Sequence, residues 1–261
     1  MTPMPGSPPT THDVVNPRDL PTMWRIARRA AIESLRDRMT LMFSAVFALA
    51  LPCLMVLLVI RPQAVHGPHR TSAAALGTLL AVYLLIAGLL PVNGAISIAA
   101  GVFAGEKEKG NLAPLLATPA SNRAIFGGKV LGAVLPALLY AVIADVCYLA
   151  EVGLFVGADA LRLLPVALAL TMVALVPTYA ILGAAVASLI SSRVRTYQSA
   201  QTLSSLALLP IMGVLFTGAF AMQRWGPWLL LGAVVVMVVV DVALITVSAA
   251  TWRREDVMAR L

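Results

Sequence analysis

Charged residues are scarce in this chain. Asp, Glu, Lys and Arg make up 12% of its 261 residues, about half of the roughly 25% usual in a soluble domain. That shortage excludes an ordinary water-soluble fold of this size. Cysteine is nearly absent. Cys53 and Cys147 fall in separate apolar runs, which argues for small buried hydrophobes and against a disulfide framework. The redox compartment stays open. His12, His66 and His69 do not compose a metal site, because a ligating cluster needs further ligands placed beside them. A phosphate-cradling nucleotide loop is missing too. Gly128-Lys129-Val130 lacks both the leading glycine and the hydroxyl residue that such a loop requires. No Ser–His–Asp set and no carboxylate pair is brought into a catalytic arrangement by spacing. This chain is therefore expected to bind no cofactor or metal of its own and to carry no catalytic residues. A cleavable signal is not expected either: residues 1–40 mix proline, polar residues and both charge signs before the first apolar run.

What is present is apolar length. Residues 39–60, 71–105, 163–192 and 196–223 contain no charged side chain. Residues 130–144 are also uncharged, and reach membrane length once Asp145 is included; residues 225–252 carry only Asp241. About 20 apolar residues cross a bilayer as a helix, and only helices or closed barrels satisfy their backbone groups in lipid. The expected fold is an all-α polytopic membrane protein with six spanning helices. They are centred on residues 41–60, 71–103, 124–150, 163–189, 199–220 and 228–250. Pro52, Pro91, Pro177 and Pro210 are candidate bends or breaks.

The basic residues sit on alternate joints. Arg18, Arg25, Arg28, Arg29, Arg36 and Arg38 precede the first span. Lys107, Lys109, Arg123 and Lys129 follow the second, Arg193 and Arg195 follow the fourth, and Arg253, Arg254 and Arg260 end the chain, fifteen in all. Arg61, Arg70, Arg162 and Arg224 are the four on the other side. The positive-inside rule then predicts a multi-pass cell-membrane protein with both termini in the cytoplasm. The formal charge of +7 does not point to nucleic acid, because the cations flank apolar segments instead of clustering on one folded face. Residues 1–20 read as a disordered tail, residues 21–251 as one membrane domain, and residues 252–261 as a charged tail. Within residues 21–38, arginines recur every three or four positions opposite Met23, Ile26, Ala27, Ala30, Ala31 and Leu35. That is an amphipathic helix suited to the membrane interface.

The most specific segment is EKEKGNLAPLLATPASNRAIFGGK, residues 106–129. It resembles the intracellular signature of ABC-2-type transporter permeases, the membrane subunits of a class of ATP-binding-cassette exporters. The matching positions are Glu106, Glu108, Gly110, Asn111, Leu112, Leu115, Leu116, Thr118, Pro119, Ser121, Gly128 and Lys129. Ala113 departs from the glutamate of many relatives, and residues 191–201 and 252–258 resemble the family more weakly. The resemblance implies that residues 106–122 form a coupling segment docked on an ATP-binding subunit, with Glu106, Glu108, Gly110, Leu112, Leu115 and Leu116 as coupling residues. It also implies two such cytoplasmic subunits, which would hold ATP and magnesium, and a second permease subunit. The residues fit a docking role: Leu112, Leu115 and Leu116 share one helical face, and Ser121 is placed to cap the following helix.

Polar residues inside the runs are candidates for a pathway or for packing. Asp241 is costly in hydrocarbon and is expected to face the interior, with an inward hydrogen bond. Asp145 lies nearer the outer end. Asn93 follows Pro91 and either caps a broken helix, lines a path or bonds a neighbouring helix. Gln198 and Gln201, with Ser204 and Ser205, mark the start of the fifth span. Gly128-x-x-x-Gly132 permits close helix approach. The function expected is that of the permease subunit of an ATP-driven exporter. A membrane relay or assembly module, and an intramembrane enzyme using Asp145 or Asp241, are the alternatives.

Overall fold

A computed structural model describes residues 19–36, 38, 42, 45–65, 72–108, 121–225 and 228–251. Nine helical elements run through them: α1 (Asp19–Arg36), α2 (Val46–Ala64), α3 (Ala73–Gly101), α4 (Ala104–Glu108), α5 (Asn122–Phe155), α6 (Ala158–Arg162), α7 (Val166–Arg193), α8 (Tyr197–Trp225) and α9 (Trp228–Thr251). Among the described residues, α2, α3, α5, α7 and α8 are long and apolar enough to cross a membrane. The 24-residue α9 adds a shorter described apolar stretch, Leu231–Val247. The protein is an all-α, multi-pass membrane protein.

Polar caps set the helix starts. Ser72 accepts from the Ala75 amide at 3.3 Å, and Ser121 accepts from the Ala124 amide at 3.1 Å; each satisfies one of the orphan donors of a first turn. Several boundaries differ from those expected. α3 passes through Pro91 without a break and stops at Gly101, with a turn at Val102 and Phe103 before the next helix. α8 likewise passes through Pro210 without interruption. A missing proline N–H costs one backbone bond, which neighbouring helices and hydroxyl side chains tolerate. α5 continues past the expected end at residue 150 to Phe155, carrying Glu151 as part of the helix. In α2, π-wound turns at Val46–Ala50 and Val56–Ile60 flank the Pro52 turn; a widened turn is one way in which a helix accommodates such an insertion.

Three helices make the core. The apolar windows of α3, α5 and α7 are 56%, 50% and 61% buried, against 22% for both α2 and α8. α3 packs on α5 and on α7, α8 lies against α3 and α7, and α9 lies against α7. Within this core the Tyr148 hydroxyl of α5 donates to the Leu80 carbonyl of α3 at 2.9 Å. α2 covers α5 from outside the triad, and α1 runs along the first turns of α5.

Small residues allow that last contact. A Cβ at Gly128 would lie 2.8 Å from the Met23 carbonyl oxygen, and one at Gly132 would lie 2.6 Å from the Ala30 Cβ. Ala27, fully buried, sits in the same seam. The two glycines four residues apart thus receive α1 at a distance that no larger side chain permits. Gly132→Leu is expected to destabilise the fold by about 1–3 kcal/mol, the usual cost of overpacking. Gly232→Leu should cost little, because a Cβ there meets nothing within 4 Å. Thermal unfolding of the detergent-solubilised chain compares them; equal midpoints would mean that α1 is not seated on α5.

Candidate functional site

The described half of the coupling signature lies in a junction between four helices. α3 ends at Gly101, and α4 starts three residues later, at Ala104. Ser191, in the last turn of α7, closes the gap. Its fully buried hydroxyl donates to the Ala100 carbonyl at 2.5 Å and accepts from the Phe103 and Ala104 amides at 3.2 and 2.8 Å. One side chain therefore satisfies the carboxyl end of one helix and the amino end of the next. Phe103, held at this turn, stacks on Phe126 of α5 with centroids 6.0 Å apart and planes at 17°.

Lys129, in the second turn of α5, closes the other side. Its side chain is 6% exposed and pairs with Glu106 of α4, whose side chain is 36% exposed. The ammonium also donates to the Val102 carbonyl at 2.9 Å and stands 4.8 Å from the Phe103 ring centroid. A buried ammonium costs several kcal/mol unless charge and hydrogen bonds compensate. Here a carboxylate, a carbonyl and a ring face surround it.

Glu108 ties α4 to a fourth helix. Its Oε1 accepts from the Tyr197 amide at 3.0 Å, at the first residue of α8, where a negative charge meets the positive helix end. Thr196 caps the same helix by accepting from the Ser199 amide at 3.3 Å. The Tyr197 ring packs over Gly101, and the Gln201 amide donates to the Ser97 hydroxyl at 3.1 Å, bridging α8 to α3. α4 is thereby fastened to α5 through Glu106, to α7 through Ser191 and to α8 through Glu108.

Residues 109–120 lie outside the described residues, and with them Gly110, Leu112, Leu115 and Leu116. The chain leaves the junction at Glu108 and re-enters it at Ser121, the cap of α5. The two ends of that segment are therefore anchored on the same knot of helices. Two parts of the knot were assigned no partner from sequence, although Lys129 is a matching position of the signature. Lys129 carried a usable signal, because a cation beside a long apolar run needs a partner. Ser191 carried none, since one serine among several at a helix end does not announce a bond to an element about ninety residues away.

The intramembrane polar residues are elsewhere. Asp145 of α5 is 9% exposed and rests over Gly88 of α3, where a Cβ would lie 3.0 and 3.1 Å from its carboxylate oxygens. Asp241 of α9 is 4% exposed, on the same face as the buried Met237. The expected inward hydrogen bond is not found at Asp241 Oδ1, and Asp145 Oδ1 also has no partner among the described residues. Asn93 faces outward and turns its amide back on the Leu90 carbonyl of its own helix at 3.3 Å, so it caps no break and reaches no other helix. Gln198 is exposed and Gln201 half-buried. Among the described residues, no three His, Cys, Asp or Glu side chains are grouped to hold a metal ion.

Two predictions follow from these contacts. Glu106→Ala should destabilise the chain by about 1–3 kcal/mol, because it strands a buried ammonium. Adding Lys129→Met should recover most of that loss. A double variant no better than Glu106→Ala, in the same unfolding measurement, would show that the pair is not the cause. At Asp241 the absence of a bond partner for Oδ1 reverses the usual penalty. Asp241→Leu should unfold at the same midpoint as Asp241→Asn or higher, since no polar group is left behind; a large loss with Leu alone would reveal a hidden partner.

Comparison with curated proteins finds no match. The family model described as ABC-2 family transporter protein matches residues 24–225, from within α1 to the end of α8. The chain belongs to the ABC-2 family of membrane transporters.

Proposed function

We propose that this chain is the permease subunit of an ATP-driven exporter, which converts movement of separate ATP-binding subunits into movement of its membrane helices. The observation that carries this reading is the fastening of α4 to three long helices immediately before residues 109–120. A push on that segment reaches α5, α7 and α8 together, since each bond crosses from α4 to a different helix. The apolar knobs Leu112, Leu115 and Leu116 would seat in a groove of the ATP-binding subunit, with the surrounding charges orienting the encounter.

In this arrangement α2, α3, α5, α7, α8 and α9 form six spans. The junction and both termini face the cytoplasm, the side that receives fifteen of the nineteen cations. Two permease chains and two ATP-binding subunits make the working complex. ATP and magnesium belong to the latter, and the cargo is moved without chemical change. α1 lies along the cytoplasmic boundary. Counting about 20 residues back from Glu151, the first acid at the far end of α5, reaches Leu131. The seam at Gly128 and Gly132 then falls at headgroup depth.

Replacing Leu115 and Leu116 together with Asp is expected to abolish co-purification with the ATP-binding partner and ATP-dependent flux in proteoliposomes. The helices should stay inserted, because buried carboxylates are costly at the docking groove and no span is touched. A double variant that retains a full complex and full flux would sink this docking model.

A further inference from the structure

α1 presents three different surfaces. Ala27 and Ala31 are buried, and Met23, Ile26 and Ala30 meet the glycines of α5. At about 100° per residue, Trp24 and Ile32 fall on the flank beside that seam, and Leu20 lies at its edge; Leu20 and Trp24 are each 55% exposed and Ile32 39%. Arg25, Arg29 and Arg36 fall beyond this flank, and Arg28 sits one helical turn from both Trp24 and Ile32. All four arginines are exposed. They outnumber the two acids of the helix, Asp19 and Glu33. Seating on α5 leaves both the apolar flank and the arginine face uncovered.

We infer that this surface binds acidic phospholipids of the adjoining leaflet: Trp24, Ile32 and Leu20 enter the acyl boundary, and the arginines hold the headgroup phosphates. The pairing follows from chemistry. An indole and two aliphatic chains beside guanidinium groups match a lipid, apolar below and anionic above. Guanidinium forks bond phosphate oxygens two at a time, and juxtamembrane cations attract anionic leaflets. A soluble phosphate would use the arginines and leave the apolar flank in water. The inference rests on the placement of α1 at the membrane boundary proposed above, and its test requires no ATP-binding subunit, nucleotide or cargo, so the two can fail separately.

The test uses the full-length chain in detergent, titrated with phosphatidylglycerol, with phosphatidylcholine of identical tails, or with inorganic phosphate. Native mass spectrometry counts what stays bound. Phosphatidylglycerol is expected to be retained in preference to phosphatidylcholine, and inorganic phosphate not to compete. Changing Arg25, Arg28, Arg29 and Arg36 to Gln should weaken phosphatidylglycerol binding by about five-fold per arginine. Changing the same four to Lys should restore most of it, which separates lost charge from a misfolded helix. Arg193→Gln with Arg195→Gln, exposed arginines at the α7–α8 turn, should leave the preference intact. Leu20→Ser with Trp24→Ser should weaken both lipids alike. Equal retention of the two lipids, competition by phosphate alone, or an equal loss in the Arg193/Arg195 variant would overturn the inference. So would a fourfold Gln variant that keeps its phosphatidylglycerol, because the arginines would then not hold the headgroups.

Discussion

Lys129 has almost no contact with water, and much at its end of the bundle is arranged around that fact. An ammonium placed in apolar surroundings must find negative charge and acceptor oxygens close by. Glu106 supplies the charge, and it does so only because α4 turns back over α5. The Val102 carbonyl supplies an acceptor, and it is available only because α3 has ended one residue earlier. The break between α3 and α4 leaves further groups without intrahelical bonds, and Ser191 takes up three of them. A short helix that has too few residues to be stable alone is thus held in one position by charge, by a ring stack and by a hydroxyl. Each depends on the others: a shift of α4 that lengthened the ion pair would also open the Ser191 bonds.

A second constraint acts along the helix seams. In lipid there is no hydrophobic gain from bringing two apolar helices together, so association depends on close packing and polar bonds. Gly128 and Gly132 receive α1, Gly88 receives the Asp145 side chain, and a Cβ at Gly183 would stand 3.0 Å from Ile96. The inner triad is built in this way, with Tyr148, Tyr179 and Phe126 as its largest fully buried side chains. The outer helices α2, α8 and α9 keep long exposed rows such as Leu206 and Leu209, or Val235 and Val239, which suit acyl chains or a neighbouring subunit equally well.

The helical class was legible from sequence because it rests on a coarse property, the absence of charge over membrane-length runs. Helix ends were less legible. A helix does not stop where a charge appears, provided that the charge can reach water or a partner; α5 runs on through Glu151, and α2 through Arg61. Prolines were poor markers of interruption for a related reason. The helix on either side of Pro91 or Pro210 is held by its neighbours, and the loss of one backbone bond does not outweigh that packing. The cap at Ser121 was legible, since it joins residues only three positions apart. The Ser191 and Glu108 bonds were not, because they join elements far apart in sequence and follow only from the tertiary arrangement.

The two kinds of polar residue in this chain differ in how they are satisfied, and the difference separates two mechanical roles. At the junction Ser191, Lys129 and Glu108 each bond across to another helix, so relative movement there would break bonds without compensation. The junction should therefore move as a unit. Asp145 and Asp241 lie in the bundle, and Oδ1 of each has no hydrogen-bond partner among the described residues. Around them the seams are mostly apolar contacts, with the Tyr148–Leu80 bond as one polar tie between α5 and α3. A tightly bonded knot at one end and looser packing along the bundle suit the lever proposed for this chain: a push on residues 109–120 would then reach the helix faces instead of deforming the knot.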